Sequence, residues 1–212
     1  MKKIIDLSHS YDEKLTKYDD EDVALFRQKR FHQVHGYKET NINLDTHVGT
    51  HMDAPSHIFY GYKSIDELGI ENFVGKALIV DVKTEEEIEE TVLESYEKDI
   101  SNVDFLIFNT GWDRYWGEKK YYTHPYLSVK LAKKITEYPN IKAVGIDTFG
   151  VDKYGDPFLE AHKTLLKENK MYIIENLCNL GLIEKNIVEI VALPLNIKGI
   201  EGGPVRVIAI EE

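Results

Sequence analysis

The sequence predicts a single α/β domain over residues 1–212, and three observations predict it. Short runs rich in Ile and Val recur along the chain, helical patterns lie between several of them, and no repeat, low-complexity tract or Gly/Ser/Pro-rich linker divides the sequence. The predicted strands are Lys3–Leu7, Ala77–Val82, Asp104–Asn109, Lys142–Asp147, Met171–Ile174, Ile187–Ala192 and Val205–Ile210. Several are apolar almost throughout, as strands buried on both faces are. The stretch from Tyr11 to Thr50 has few helix signals and is expected to add strands of its own.

Three helices are predicted between the strands. Thr84 with Glu87 reads as a capping box, followed by Ile88, Val92, Leu93, Tyr96 and Ile100 at helical spacing. Glu85, Glu86 and Glu87 would then occupy the first turn, where the helix dipole favours negative charge. A second helix starts near Ser128 and carries Leu131, Ala132 and Ile135; a third runs from about Phe158 to Glu168.

Composition narrows the function. Hydrophobic residues at 42% and charged residues at 30% allow a packed core and argue against disorder. A net charge of -11 without a basic stripe argues against a nucleic-acid partner. Cys178 is the one cysteine, so neither an intramolecular disulfide nor a thiolate zinc cage can form, and any metal must be held by imidazole and carboxylate. The N-terminal residues lack the apolar stretch of a signal peptide, and the apolar runs are too short to span a bilayer. The expectation is a cytoplasmic protein acting on a small molecule, with no membrane partner.

Of the eight histidines, three fall within eleven residues, in Thr46-His47-Val48-Gly49-Thr50-His51-Met52-Asp53-Ala54-Pro55-Ser56-His57. Ile42, Leu44 and Val48 alternate with polar residues, the mark of a half-buried strand. If the extended path continues, His47, His51 and Asp53 point the same way. Gly49 would let the backbone bend so that the imidazoles converge, and Pro55 would turn His57 back over the site. Two imidazoles and a carboxylate suit zinc, manganese or iron and leave a position open for water, which loses a proton near neutral pH when bound there. His57, a histidine beside the ligands, would move protons. A serine-nucleophile elbow, a phosphate-binding loop and a dinucleotide fingerprint are all absent, and Gly202-Gly203-Pro204 reads as a turn.

The eleven-residue pattern His47-x-Gly49-Thr50-His51-x-Asp53-x-Pro55-x-His57 resembles the signature of the cyclase family of metal-dependent hydrolases, which includes bacterial kynurenine formamidase and isatin hydrolase. The resemblance extends to Ile4–Ser8, Thr110–Trp116, His124–Leu127, Gly145–Asp152, Leu193–Leu195 and Gly203–Arg206. It implies a swivelling β/β/α domain, a mixed-sheet sandwich with outer helices, assembled as a homodimer or homotetramer. It implies His47, His51 and Asp53 as ligands of a first Zn2+, with Mn2+ as the alternative, and His57 as general acid/base. It also implies His162 and Glu175 as ligands of a second ion that shares the aspartate. Formamidases of the family carry a Pro-Gly loop soon after the first strand; Tyr11–Asp20 here contains neither residue, so the pocket should differ. The implied reaction is hydrolysis of an amide, with an aryl formamide such as N-formylkynurenine as the leading substrate. A cyclic amide or lactone hydrolase and a metal-dependent binding protein without catalysis are the alternatives.

Other candidates have plainer readings. Trp112, Trp116, Tyr60 and Phe59 could line a pocket but are more often core. Asp147 and Asp152 suit capping or turn roles as well as catalysis, Arg206 suits a structural ion pair, and His32, His35 and His124 read as surface or loop residues.

Overall fold

The computed structural model describes residues 2–211. Among them the strands are β1 (Lys3–Asp6), β2 (Ala24–Arg30), β3 (Glu39–Leu44), β4 (His51–Asp53), β5 (Val74–Asp81), β6 (Glu87–Ile88), β7 (Phe105–Asn109), β8 (Tyr126–Leu127), β9 (Ala143–Ile146), β10 (Tyr172–Glu175), β11 (Ile187–Pro194) and β12 (Gly202–Glu211). The helices are α1 (His32–His35), α2 (Glu97–Ile100), α3 (Val129–Thr136) and α4 (Glu160–Leu166). All seven predicted strands are present.

The main sheet is mixed and closed. β5, β7, β9 and β10 run parallel as neighbours, while β11, β12 and β4 complete the ring with antiparallel pairings. β4 closes it, because its three residues pair with β10 on one side and with the start of β12 on the other. β1 adds to the far half of β12.

Strand alternation explains why the apolar runs are continuous. Ala77, Ile79, Phe105, Ile107 and Ala143 pack inside the ring with residues of β11 and β12. Leu78, Val80, Leu106, Phe108, Val144 and Ile146 face outward, under helices α3 and α4. Leu131, Ala132 and Ile135 of α3 are buried there as the spacing predicts, and Ser128 caps the helix by accepting from the Leu131 amide at 3.0 Å.

The capping box at Thr84 does not form. The Thr84 hydroxyl accepts from the Glu86 amide two residues on, and Glu87–Ile88 pair with Tyr126–Leu127 as a short parallel ladder. A local side-chain turn and burial of Ile88 against β8 outweigh the helical pattern, so helical turns begin only at Glu90 and the three glutamates precede them. The Tyr11–Thr50 region does add strands: β2 and β3 form a hairpin outside the ring, with Leu15, Ala24 and Val48 as its small core. No described helix is long and apolar enough to cross a membrane.

Candidate metal centre

The site lies on the outer face of the sheet at its closure. On β4 the alternation sends Met52 into the inner core and His51 and Asp53 the other way. The antiparallel register sets Glu175 of β10 opposite His51 and Gly202 of β12 opposite Asp53. Three strands thus share one face, and α4 lays His162 over it.

His47 arrives differently from the prediction. Residues 46–50 are turn and bend, so the extended run breaks and shared parity does not bring His47 to Asp53. Gly49 adopts φ 61° beneath the Tyr11 ring, and the Tyr11 hydroxyl donates to the carbonyls of Val48 and Thr50. The His47 ring then folds over Gly202, where a Cβ would stand 2.6 Å from His47 Cε1 and 2.8 Å from the Met52 carbonyl. Gly202-Gly203-Pro204 is therefore the first part of β12, not a turn; glycine is needed because an imidazole occupies the space over the strand.

The five predicted ligands converge. His47 Nδ1 is 2.7 Å from Asp53 Oδ1, and His51 Nε2 is 3.4 Å from that oxygen and 3.3 Å from Glu175 Oε2. His162 Nε2 lies 3.4 Å from Asp53 Oδ2 and 3.1 Å from Glu175 Oε1. Asp53 is fully buried, yet neither of its oxygens has a hydrogen-bond partner: the imidazole nitrogens are near but not aligned as donors. A buried carboxylate left so is costly unless a cation completes it. Two donor groups, His47–Asp53–His57 and His51–Asp53–Glu175, are each close enough to hold a divalent ion, and Asp53 belongs to both.

His51 and His47 have their far ring nitrogens tied down. His51 Nδ1 donates to the Gly49 carbonyl at 2.9 Å, and His47 Nε2 meets Glu201 Oε1 at 3.2 Å, an oxygen also bound by the Thr46 hydroxyl. His162 Nδ1 meets Asp152 Oδ2 at 2.6 Å. His57, carried on the single helical turn Pro55–His57, is otherwise. Its ring centroid is 4.1 Å from that of His47 and 5.9 Å from that of His162, and it is close enough to His47 and Asp53 to be counted among possible ligands. No acceptor among the described residues anchors its ring.

Electrostatics separates it further. Burial alone would lower His47, but the Asp53 carboxylate, helped by Glu175 and Glu201, raises it to about 9. Burial is likewise outweighed at His162 by Glu175, Asp152 and Asp53, which hold it well above the usual range. Asp53 and Glu175 are both kept below their usual values against burial by the surrounding imidazoles. His57 alone among the shifted imidazoles of the cluster is pushed down, chiefly by burial, against the opposing pull of the Asp53 carboxylate. Burial thus favours the neutral form of this imidazole.

A cavity of about 330 Å³ opens onto the cluster, with Tyr18, Asp22, His124, Phe149, Lys153 and Leu159 among its walls. A model of the Cyclase family ("Putative cyclase") matches residues 5–153, most of the chain. This chain belongs to the cyclase family. Cyclase-like protein 3 of Oryza sativa subsp. japonica is 33% identical over 220 aligned residues, covering 99% of this chain and 80% of that protein. A kynurenine formamidase of Bacillus cereus is 32% identical, covering 79% and 77%. Among solved structures, isatin hydrolase A from Labrenzia aggregata has the same fold, with a TM-score of 0.86 at 24% identity over 99% of this chain and 93% of that one.

In this cyclase-family chain the remaining candidates fall where packing puts them. Trp112 is buried with Tyr121 and Phe149, Tyr60 is fully exposed, and Trp116 stacks on His9 at 3.8 Å. Phe59 packs against the outer core. Asp147 accepts from the Thr110 and Trp112 amides, Arg206 pairs with Asp6, and His32 and His35 are exposed. His124 is a loop residue, as read, and is buried where it backs the cavity beside Phe149. Glu201 escaped the sequence reading, and Gly202 was read only as part of a turn, since nothing local shows that β12 will lie beside β4.

Proposed function

We propose that this chain is a metal-dependent hydrolase cleaving an amide carbon–nitrogen bond, with an aryl formamide such as N-formylkynurenine as the leading substrate. The observation that carries the reading is Asp53: a fully buried carboxylate with no hydrogen-bond partner, faced by three imidazoles and a second carboxylate. His47, His51 and Asp53 would hold a first ion, and His162 and Glu175, with Asp53 shared, a second; zinc or manganese suits the donors. A divalent ion so held supplies Lewis acidity for the carbonyl and acidifies a water.

The chain's own residues do the rest. His57, neutral and free to reorient, takes the proton of the attacking water on an imidazole nitrogen and delivers it to the leaving nitrogen. Phe149 and Leu159 offer an aryl group an apolar wall that excludes water, and Lys153 at the cavity can meet a substrate carboxylate. The similarity to the kynurenine formamidase supports the formamide reading.

Hydrolysis of a cyclic amide or lactone is the second reading, and one observation favours it. Tyr18, in the loop that lacks Pro and Gly, lines the cavity, so this wall differs from that of the formamidases. Assembly as a homodimer or homotetramer is part of the proposal, supported by the exposed Val34, Tyr37 and Ile42 of the hairpin region and read by sedimentation. The test is turnover of N-formylkynurenine and isatin by metal-loaded protein, before and after chelation, with His57→Ala beside it. The expected result is metal-dependent turnover that falls about 10²–10⁴-fold in the variant; inertness toward the whole panel when loaded would sink the reading.

A further inference from the structure

Asp152 is the best-connected carboxylate near the cluster that is not itself a candidate ligand. It lies after β9, is 8% exposed, and reaches the first turn of α4 from outside the helix. Its Oδ1 accepts from the Ala161 amide at 2.8 Å, and its Oδ2 accepts from the His162 amide at 2.9 Å and from His162 Nδ1 at 2.6 Å. One carboxylate therefore fixes both the position of the helix end and the rotation of the imidazole that end carries. A carboxylate oxygen can only accept, so the Nδ1 proton stays on the Asp152 side and Nε2 is turned toward Asp53 and Glu175.

We propose that Asp152 is a positioning residue that confers second-ion affinity on His162, and that it acts on that ion selectively. This rests on the reading of His162 and Glu175 as second-ion ligands. Selectivity follows from the layout. His51 and His47 take their orientation from the Gly49 carbonyl and from Glu201, neither of which touches Asp152. Loss of the Asp152 carboxylate would free the His162 ring while the other two remain anchored.

The experiment titrates zinc into chelator-stripped wild type and Asp152→Asn, in competition with a fluorescent chelator, and records the imidazole N–H protons by 15N-edited NMR. An amide at this position can still accept from a backbone N–H but cannot serve all three donors, so the variant is expected to fold. The expected outcome is a first site changed by less than about threefold and a second weakened roughly 10–100-fold. The wild-type spectrum should show a downfield His162 Nδ1 proton that the variant lacks. Equal weakening of both sites, or no weakening of either, overturns the proposal.

The spectrum separates this failure from failure of the metal reading. If wild type binds fewer than two ions, the second-ion assignment falls, and with it the affinity role. The Nδ1 proton then still reports whether Asp152 orients His162, and a wild-type His162 protonated at Nε2 alone overturns that as well. The wild-type measurement needs no variant to fold.

Discussion

The two ends of the cluster pair an imidazole with an outer carboxylate, but they are built from different structure. At the inner end His162 stands on a helix and its partner Asp152 is buried, held by two backbone amides. At the outer end His47 stands on a turn, its side chain 28% exposed, and its partner Glu201 is 40% exposed. Inside, a charge-assisted bond acts in a low dielectric and moves little; outside, water and salt screen it. The same chemical pair should thus matter more at the inner end, and the outer end should depend more on backbone shape.

Asp53 belongs to both ends, and its loss should erase the difference between them. Asp53→Asn should abolish tight binding at both sites, an effect beyond the roughly 10–100-fold typical of an outer partner, as read by metal content after dialysis. Retention of two tightly held ions would remove Asp53 from the centre.

The outer end can be broken through its backbone. Gly202→Ala places a methyl against the His47 ring and the immovable Met52 carbonyl. It should lower stability by about 1–3 kcal/mol in urea unfolding and weaken the first ion more than the second. A stable variant with unchanged first-ion affinity would mean that His47 does not rest on this strand.

The turn beneath His47 is braced by His9, whose amide donates to the Thr50 hydroxyl and whose ring stacks on Trp116. Burial holds the His9 pKa down to about 4, from an ordinary 6.5. Between these values the unfolded chain binds a proton that the native protein does not. The stabilisation is full above pH 6.5 and is lost as pH falls toward 4. Wild type should lose roughly 2 kcal/mol across that window, after allowance for solvent screening, beyond what His9→Phe loses. Parallel pH profiles for the two proteins would show that His9 is not held neutral.

The smallest effect is expected at Glu201. Glu201→Gln keeps an acceptor for His47 Nε2 and removes only a screened charge, so first-ion affinity should change a few-fold at most. A loss as large as that expected for Asp152→Asn would abolish the contrast between the ends.

Much of this was legible in the residues. The runs of β5, β7, β9 and β10 read correctly because burial on both faces of a closed sheet leaves an unbroken apolar signature, those of β11 and β12 because buried apolar residues alternate along them, and α3 because its amphipathic spacing and its Ser128 cap agree. The His47–His57 segment was legible as a cluster because side chains that converge in space lay within eleven residues, and the resemblance it carries agrees with family membership. The helix drawn from Thr84 failed where a two-residue hydroxyl turn competed with the cap.

Sequence by itself determined seven of the strands, the donor types and the exclusion of thiolate chemistry, because burial and ligand character belong to individual residues and short spacings. Only the tertiary structure decided that β4 closes the ring between β10 and β12, that His47 comes over Gly202 from a turn, and that Asp152 reaches His162 across ten residues. Those outcomes depend on register between strands distant in the chain, and register is fixed by packing the whole sheet at once.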